Sequence, residues 1–332
     1  MKKLIALILV VLMSLGVLSA CGEKTEELKK ITLSEVAHSV FYAPQYAALK
    51  LGFFEEEGLE IELINGGGAN KVMTSVLTGE AQIGFAGPEA CIYVLLEGHE
   101  DAPKVFAQMT NRDGAFLVGR TDEDFSWENL RGKTIIGGRK GGVPEMTLEY
   151  VMRQNGVIPH EDAVVDTSVQ FNMMGGAFTG GNGDYVALFE PTATEVEQAG
   201  QGYILASIGE ESGDIPYTAY FASQSYMAEN PDVIQGFTNA VAKGLKWVSE
   251  HTDREVAEVI AEQFPDTDLD VLETVVGRYR SIDAWKDTPV MEQEDLERLE
   301  TVMETAGELT VRVEFSALVD NSYAEKSVSQ AK

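Results

Sequence analysis

At 332 residues with ordinary apolar content, the chain carries 54 acidic against 25 basic residues and a formal charge of −29. So acidic a surface repels phosphate backbones and anionic headgroups, which excludes nucleic acid as a partner while leaving room for a local positive pocket. The length exceeds that of an ordinary single domain and predicts two lobes.

Residues 1–20 read as a secretory leader. Lys2 and Lys3 supply a positive start, Leu4 to Val17 are almost wholly apolar, and Leu18-Ser19-Ala20 offers the small residues a signal peptidase needs. Leu-Ser-Ala-Cys resembles the lipobox of bacterial lipoproteins, in which the cysteine, here Cys21, receives a diacylglycerol before the leader is removed. The alternatives are an ordinary secreted protein with an incidental cysteine, or an uncleaved anchor. Residues 21–30 are polar and charged and read as a flexible tether between lipid and a folded body. With Cys21 acylated, Cys91 is the remaining thiol, set in the apolar run Ala90 to Val94, so it reads as a packing residue. The four histidines, His38, His99, His160 and His251, never recur at metal-ligand spacing, and no metal site is expected.

From Ile31 onward one cadence repeats: an apolar strand, a turn, a helix and a glycine. Strands are expected at Ile31 to Val36, Leu59 to Ile64, Ala81 to Ala86, Lys133 to Gly137, Tyr185 to Phe189 and Gly202 to Ser207. The helices between them stop at Gly52, Gly79, Gly98, Gly156 and Gly200. Strand alternating with helix gives an α/β fold with a mostly parallel sheet. Four helices open on proline directly after a strand end, at Pro44, Pro88, Pro144 and Pro191. In open α/β sheets such turns gather at the carboxyl edge, where ligands sit beside free helix N-termini.

Two segments, Ala115 to Arg120 and Tyr217 to Ser223, look extended and lead away from one α/β unit and back. Read as crossings, they divide the body into lobe 1 (31–115 and 218–320) and lobe 2 (116–217). After Ser223 the pattern turns helical, with a core stripe Ile234, Phe237, Val241, Leu245 and Val248 and a capping box at Thr252 and Glu255. Residues 321–332 read as a frayed tail.

The run Phe41-Tyr42-Ala43-Pro44-Gln45-Tyr46-Ala47-Ala48, followed by Gly52-Phe53-Phe54-Glu55-Glu56-Glu57-Gly58-Leu59, resembles the opening of ABC-importer solute-binding proteins of the nitrate, sulfonate, taurine and thiamine-precursor group. Gly66-Gly67-Gly68, Gly79 to Gly84, Leu130 to Ile135 and Phe189-Glu190-Pro191 agree with it. The resemblance implies a type II periplasmic-binding-protein fold, two α/β lobes joined by two crossover strands. It further implies a non-enzymatic, monomeric receptor without cofactor that closes on a small molecule and delivers it to a membrane permease and its ATPase. Cys21 would hold this receptor on the extracytoplasmic face of a bacterial membrane.

The same resemblance places the ligand among the turns carrying Ser39, Phe41 and Tyr42; Pro88 and Glu89; Asp113; Arg139 and Gly142; and Glu190. Phe41 and Tyr42 supply faces on which a planar ring stacks, or else pack in the core. Glu190 accepts hydrogen bonds from an exocyclic amine, with Asp113 as a second acceptor, or else caps its own helix. A thiamine-type pyrimidine is the favoured solute. Against it, Gly137-Gly138-Arg139-Lys140-Gly141-Gly142-Val143-Pro144 combines two cations with exposed backbone N–H groups and a helix start, a cradle suited to sulfonate, taurine or nitrate. A remote alternative is a pyrimidine-precursor synthase, which the resemblance would require to carry a cysteine-rich motif that this chain lacks.

Overall fold

The structure, a computed structural model, describes residues 27–330. The leader, Cys21 and most of the tether lie outside the described residues. Within the described residues, ten strands form two five-stranded sheets: β1 (Lys29–Glu35), β2 (Leu59–Asn65), β3 (Ile83–Ala86), β4 (Lys104–Thr110), β5 (Phe116–Gly119), β6 (Thr134–Ile136), β7 (Val164–Asp166), β8 (Tyr185–Leu188), β9 (Tyr203–Ser207) and β10 (Thr218–Ala222). The sheet begins two residues before the expected body. Lys29 already pairs in parallel with Leu59, so the tether ends at Leu28 rather than Lys30.

The first sheet runs β2-β1-β3-β10-β4 and the second β7-β6-β8-β5-β9. In each, parallel strands are joined by helices, and one central strand, β10 or β5, runs antiparallel to its neighbours. Those two strands are the segments that looked like crossings. The chain leaves the first sheet between β4 and β5 and returns between Gly213 and Tyr217 into β10. Strands β3, β5, β8 and β10 are buried along their whole length, so they read as continuous apolar runs.

Two strands escaped the sequence. Strand β4, Lys-Val-Phe-Ala-Gln-Met-Thr, carries a buried glutamine and threonine among its apolar residues, and β7 is three residues with an exposed first valine. Neither shows a clean period of two.

The helices begin and end where punctuation asks. Ala43–Lys50 and Val143–Gln154 carry proline in the first turn, whereas Pro88 and Pro191 stand at the N-caps of Glu89–Leu96 and Thr192–Gln198. Thr252 and Glu255 form the reciprocal capping box. The long helix Pro231–Glu250 lies against Ala43–Lys50, and its five stripe residues are all buried. Residues Ser322–Gln330 are not a frayed tail. They form a helix that packs on Pro231–Glu250 and β4, with Ala324 and Ser327 buried, because the preceding Val319 bridges to Val105 and directs the chain back onto the sheet.

Candidate functional site

The carboxyl ends of β1, β2 and β3 face those of β6, β7 and β8 across a cleft. Two adjoining chambers occupy it, of about 60 and 250 Å³, sharing Val36, Ala37, Gly67, Phe171 and Phe189 as walls. The smaller chamber is walled by Tyr42, Phe171, Phe189 and Tyr217 and carries Glu89, Arg139 and Asn70 at its polar edge. The larger one runs past Ser39, Asn65, Asn172 and Glu190.

Glu89 is the group the cleft leaves least satisfied. Gly87 makes its position possible, since a Cβ there would stand 2.0 Å from Glu89 Oε2. The side chain is buried, and Oε2 has no hydrogen-bond partner among the described residues. Burial pushes its carboxyl up to about 7, with Arg139 from the other lobe pulling the opposite way. The Tyr42 and Tyr217 hydroxyls are likewise buried without partners among the described residues. Desolvation raises both phenols, and the charges of Asp113 and Glu89 add to it. One pocket thus gathers an unpaired carboxyl, two unpaired phenols and a half-buried guanidinium. Groups in this state cost free energy unless a ligand satisfies them.

The sequence-derived residues separate into three groups. Tyr42, Glu89, Arg139 and Gly142 line the smaller chamber, and Ser39 and Glu190 the larger. Phe41, Pro88 and Asp113 line neither. Phe41 is fully buried below the cleft, edge-on to Phe189 and tilted against Tyr279, with Gly114 so close that a Cβ would meet its ring at 2.8 Å. Its place is core packing, not ligand stacking. Pro88 is a helix cap. Asp113 sits at the crossing, where Oδ1 accepts from Ala115 N at 2.7 Å and the Tyr217 hydroxyl lies beside the carboxyl, lowering its pKa against the effect of burial. Burial raises its carboxyl to about 8.

Glu190 has work other than accepting an amine. Oε2 accepts from Thr194 N at 2.8 Å, Oε1 accepts from Thr194 Oγ1 at 2.9 Å, and Arg278 forms an ion pair with Oε1. It caps its own helix and ties the second lobe to the helix Leu269–Ser281. Ser39 Oγ donates to the Glu190 carbonyl at 2.6 Å, and Tyr93 OH donates to the Gly141 carbonyl at 3.0 Å. These bonds cross between the lobes and hold them against each other. Within the glycine-rich turn, Gly141 N already donates to Glu145 Oε2 at 3.0 Å, which removes one donor from the anion cradle.

Sequence reasoning did not find Asn70, Gln170 and Phe171. Phe171 follows β7, the short strand that left no pattern, so nothing marked its loop as facing the cleft. Phe189 and Tyr217 stood within recognised segments but lacked a reason to be singled out.

The model of the family described as NMT1/THI5 like matches residues 40–255. The chain belongs to the NMT1/THI5-like family. A family relative, YtlA of Bacillus subtilis (strain 168), carries a provisional name as a binding protein and is 42% identical over 314 residues, 94% of each chain. Among solved structures, the alkanesulfonate-binding protein SsuA from Xanthomonas axonopodis pv. citri, bound to MOPS, superposes with a TM-score of 0.70 at 14% identity, covering 89% of this chain and 99% of its own. The periplasmic nitrate-binding protein NrtA from Synechocystis PCC 6803 gives 0.72 at 14% identity, covering 92% and 90%. This member of the family therefore has the type II periplasmic-binding-protein fold. Among the described residues no helix is long and apolar enough to cross a membrane.

Proposed function

We propose that this NMT1/THI5-like protein is an extracytoplasmic receptor of an ABC importer that captures a small planar solute bearing hydrogen-bond donors, of the aminopyrimidine type found in thiamine precursors. The observation that carries the choice of solute is the unpartnered Oε2 of Glu89 inside a chamber walled by aromatic rings. A ring with an exocyclic amine gives Glu89 a donor and offers a face to Phe171, Phe189 or Tyr217. Arg139 favours the ionised form of Glu89 against the opposing effect of burial and bonds a ring nitrogen or substituent oxygen on the far edge. Tyr42, Glu89 and Arg139 act on the solute. Ser39 and Glu190 act on closure.

The binding-protein name of the relative supports a non-catalytic reading, and the sulfonate and nitrate receptors that share the fold support an importer role. Delivery then requires a permease and its ATPase, and Cys21 acts as the lipid anchor that keeps a monomeric receptor beside them. The second reading, capture of a sulfonate, taurine or nitrate, is favoured by Arg139 and the start of helix Val143–Gln154 at the cleft. Two facts weigh against it: a buried carboxyl faces that arginine, and Glu145 occupies one of the turn's N–H groups.

Calorimetric titration of the purified protein with an aminopyrimidine, an alkanesulfonate, taurine and nitrate separates the two. Tight binding of the aminopyrimidine alone, weakened tenfold or more by Glu89→Gln, is the expected result. Binding of the anions alone would replace the first reading by the second.

A further inference from the structure

Four histidines scattered through the sequence gave no metal spacing, yet folding brings one of them against two carboxylates from another element. Glu145 and Glu149 lie one turn apart on the same face of helix Val143–Gln154, and His160 follows from the turn beyond it. One ligand atom from each lies within 4.8 Å of the others. Both carboxylates are buried, at 3% and 4% exposure, while the imidazole reaches solvent. We infer that Glu145, Glu149 and His160 form a binding site for a divalent transition-metal ion of the zinc class, outside the solute cleft.

Two buried carboxylates this close repel each other, and few cations answer them. Glu149 Oε1 meets His160 Nε2 at 2.7 Å, and its Oε2 stands 3.7 Å from Arg153. Glu145 Oε2 accepts from Gly141 N, and the Glu145 carboxyl also stands within hydrogen-bonding reach of Glu149. The Glu149 charge and the nearby Glu308, itself paired with Lys140 at 3.5 Å, both weigh on Glu145. A dipositive ion neutralises the carboxylate pair more completely than a half-exposed arginine at that separation. Ligands of a tetrahedral ion with bonds near 2.1 Å stand about 3.4 Å apart, so small side-chain rotations draw the three atoms onto one centre. One imidazole and two carboxylates suit zinc, cobalt or nickel over calcium or magnesium, whose shells are all oxygen. The exposed side of His160 leaves the remaining positions to water.

The position gives the site a consequence. Glu145 holds Gly141 N, and Gly141 belongs to the turn that walls the cleft and receives Tyr93 from the other lobe. A bound ion fixes Glu145 and, through it, that turn. The metal site is independent of which solute the cleft takes.

The test is equilibrium dialysis of chelator-treated protein, freed of chelator, against Zn²⁺, with Co²⁺ substitution read by its visible absorption. We expect one ion per chain, a cobalt spectrum with a nitrogen–oxygen ligand set, and at least tenfold weaker binding in both Glu149→Gln and His160→Gly. Glycine suits position 160 because His160 has a φ of 64°. Circular dichroism and thermal melting of the metal-free variants confirm that each is folded. The site is refuted if the wild type retains no zinc above the buffer, or if folded variants bind it as tightly as the wild type.

Discussion

Glu89 and Asp113 are both carboxyls kept from water, and they answer substitution differently. Glu89 faces the cleft, so Glu89→Gln should weaken an amine-bearing solute by tenfold or more, about 1.4 kcal/mol at least, while leaving the fold intact. Asp113 lines neither chamber, so Asp113→Asn should act on stability. Its carboxyl is raised by burial to about 8, against about 3.9 in an unfolded chain. A group that binds its proton more tightly when folded stabilises the protein below the unfolded value and loses that contribution as pH rises through the folded one. Thermal melting between about pH 5 and pH 8 should therefore fall more steeply for the wild type than for Asp113→Asn. Parallel curves would show that Asp113 carries no such penalty.

At the scale of elements, the helix Leu269–Ser281 joins the two lobes. Arg278 reaches Glu190, and the Tyr279 hydroxyl donates to Gly114 O at 3.1 Å while accepting from Glu190 N at 3.0 Å. Arg278→Ala leaves a buried carboxylate with Thr194 as its remaining partner, so closure should weaken by roughly 3 kcal/mol, the scale on which a broken buried pair is destabilising. Small-angle scattering of the unliganded variant should show a larger radius of gyration than that of the wild type, and an unchanged radius would deny the latch. A second element contact is tighter still. Gly244 of Pro231–Glu250 packs on Ala43–Lys50 so closely that a Cβ would stand 2.3 Å from Pro44 O, and Gly244→Ala should cost about 1–3 kcal/mol in urea unfolding.

These elements also show where the sequence was legible. Strands buried on both faces announce themselves as apolar runs between glycines, and four prolines mark helix starts, so the two sheets and the cleft's edge could be read directly. Strand β4 hid because Gln108 and Thr110 interrupt its apolar run, both buried by long-range packing no local pattern records. Glu190 misled because a carboxylate beside a proline at a strand end looks alike whether it faces ligand or caps a helix. Only the arrival of Arg278, 88 residues away, decides between them. Phe41 and Tyr42 adjoin in sequence yet point one into the core and one to the cleft, since the short helix Val40–Tyr42 turns successive side chains to different sides.

For the whole molecule, two lobes with an acidic exterior enclose a pocket whose chemistry differs from that surface. If Cys21 anchors the body to lipid, Cys21→Ser should shift the protein from the membrane fraction to the soluble one, and persistent labelling by a radiolabelled fatty acid would contradict the anchor. The pH dependence of binding reports on what the pocket holds. An ionised Glu89 accepts from a donor-bearing solute, so aminopyrimidine affinity should rise as pH increases through about 7, the value to which burial moves that carboxyl, and Glu89→Gln should abolish the rise. If instead a sulfonate or nitrate binds most tightly, with affinity falling over the same range and improved by Glu89→Gln, the pocket is an anion site and the proposed solute is wrong.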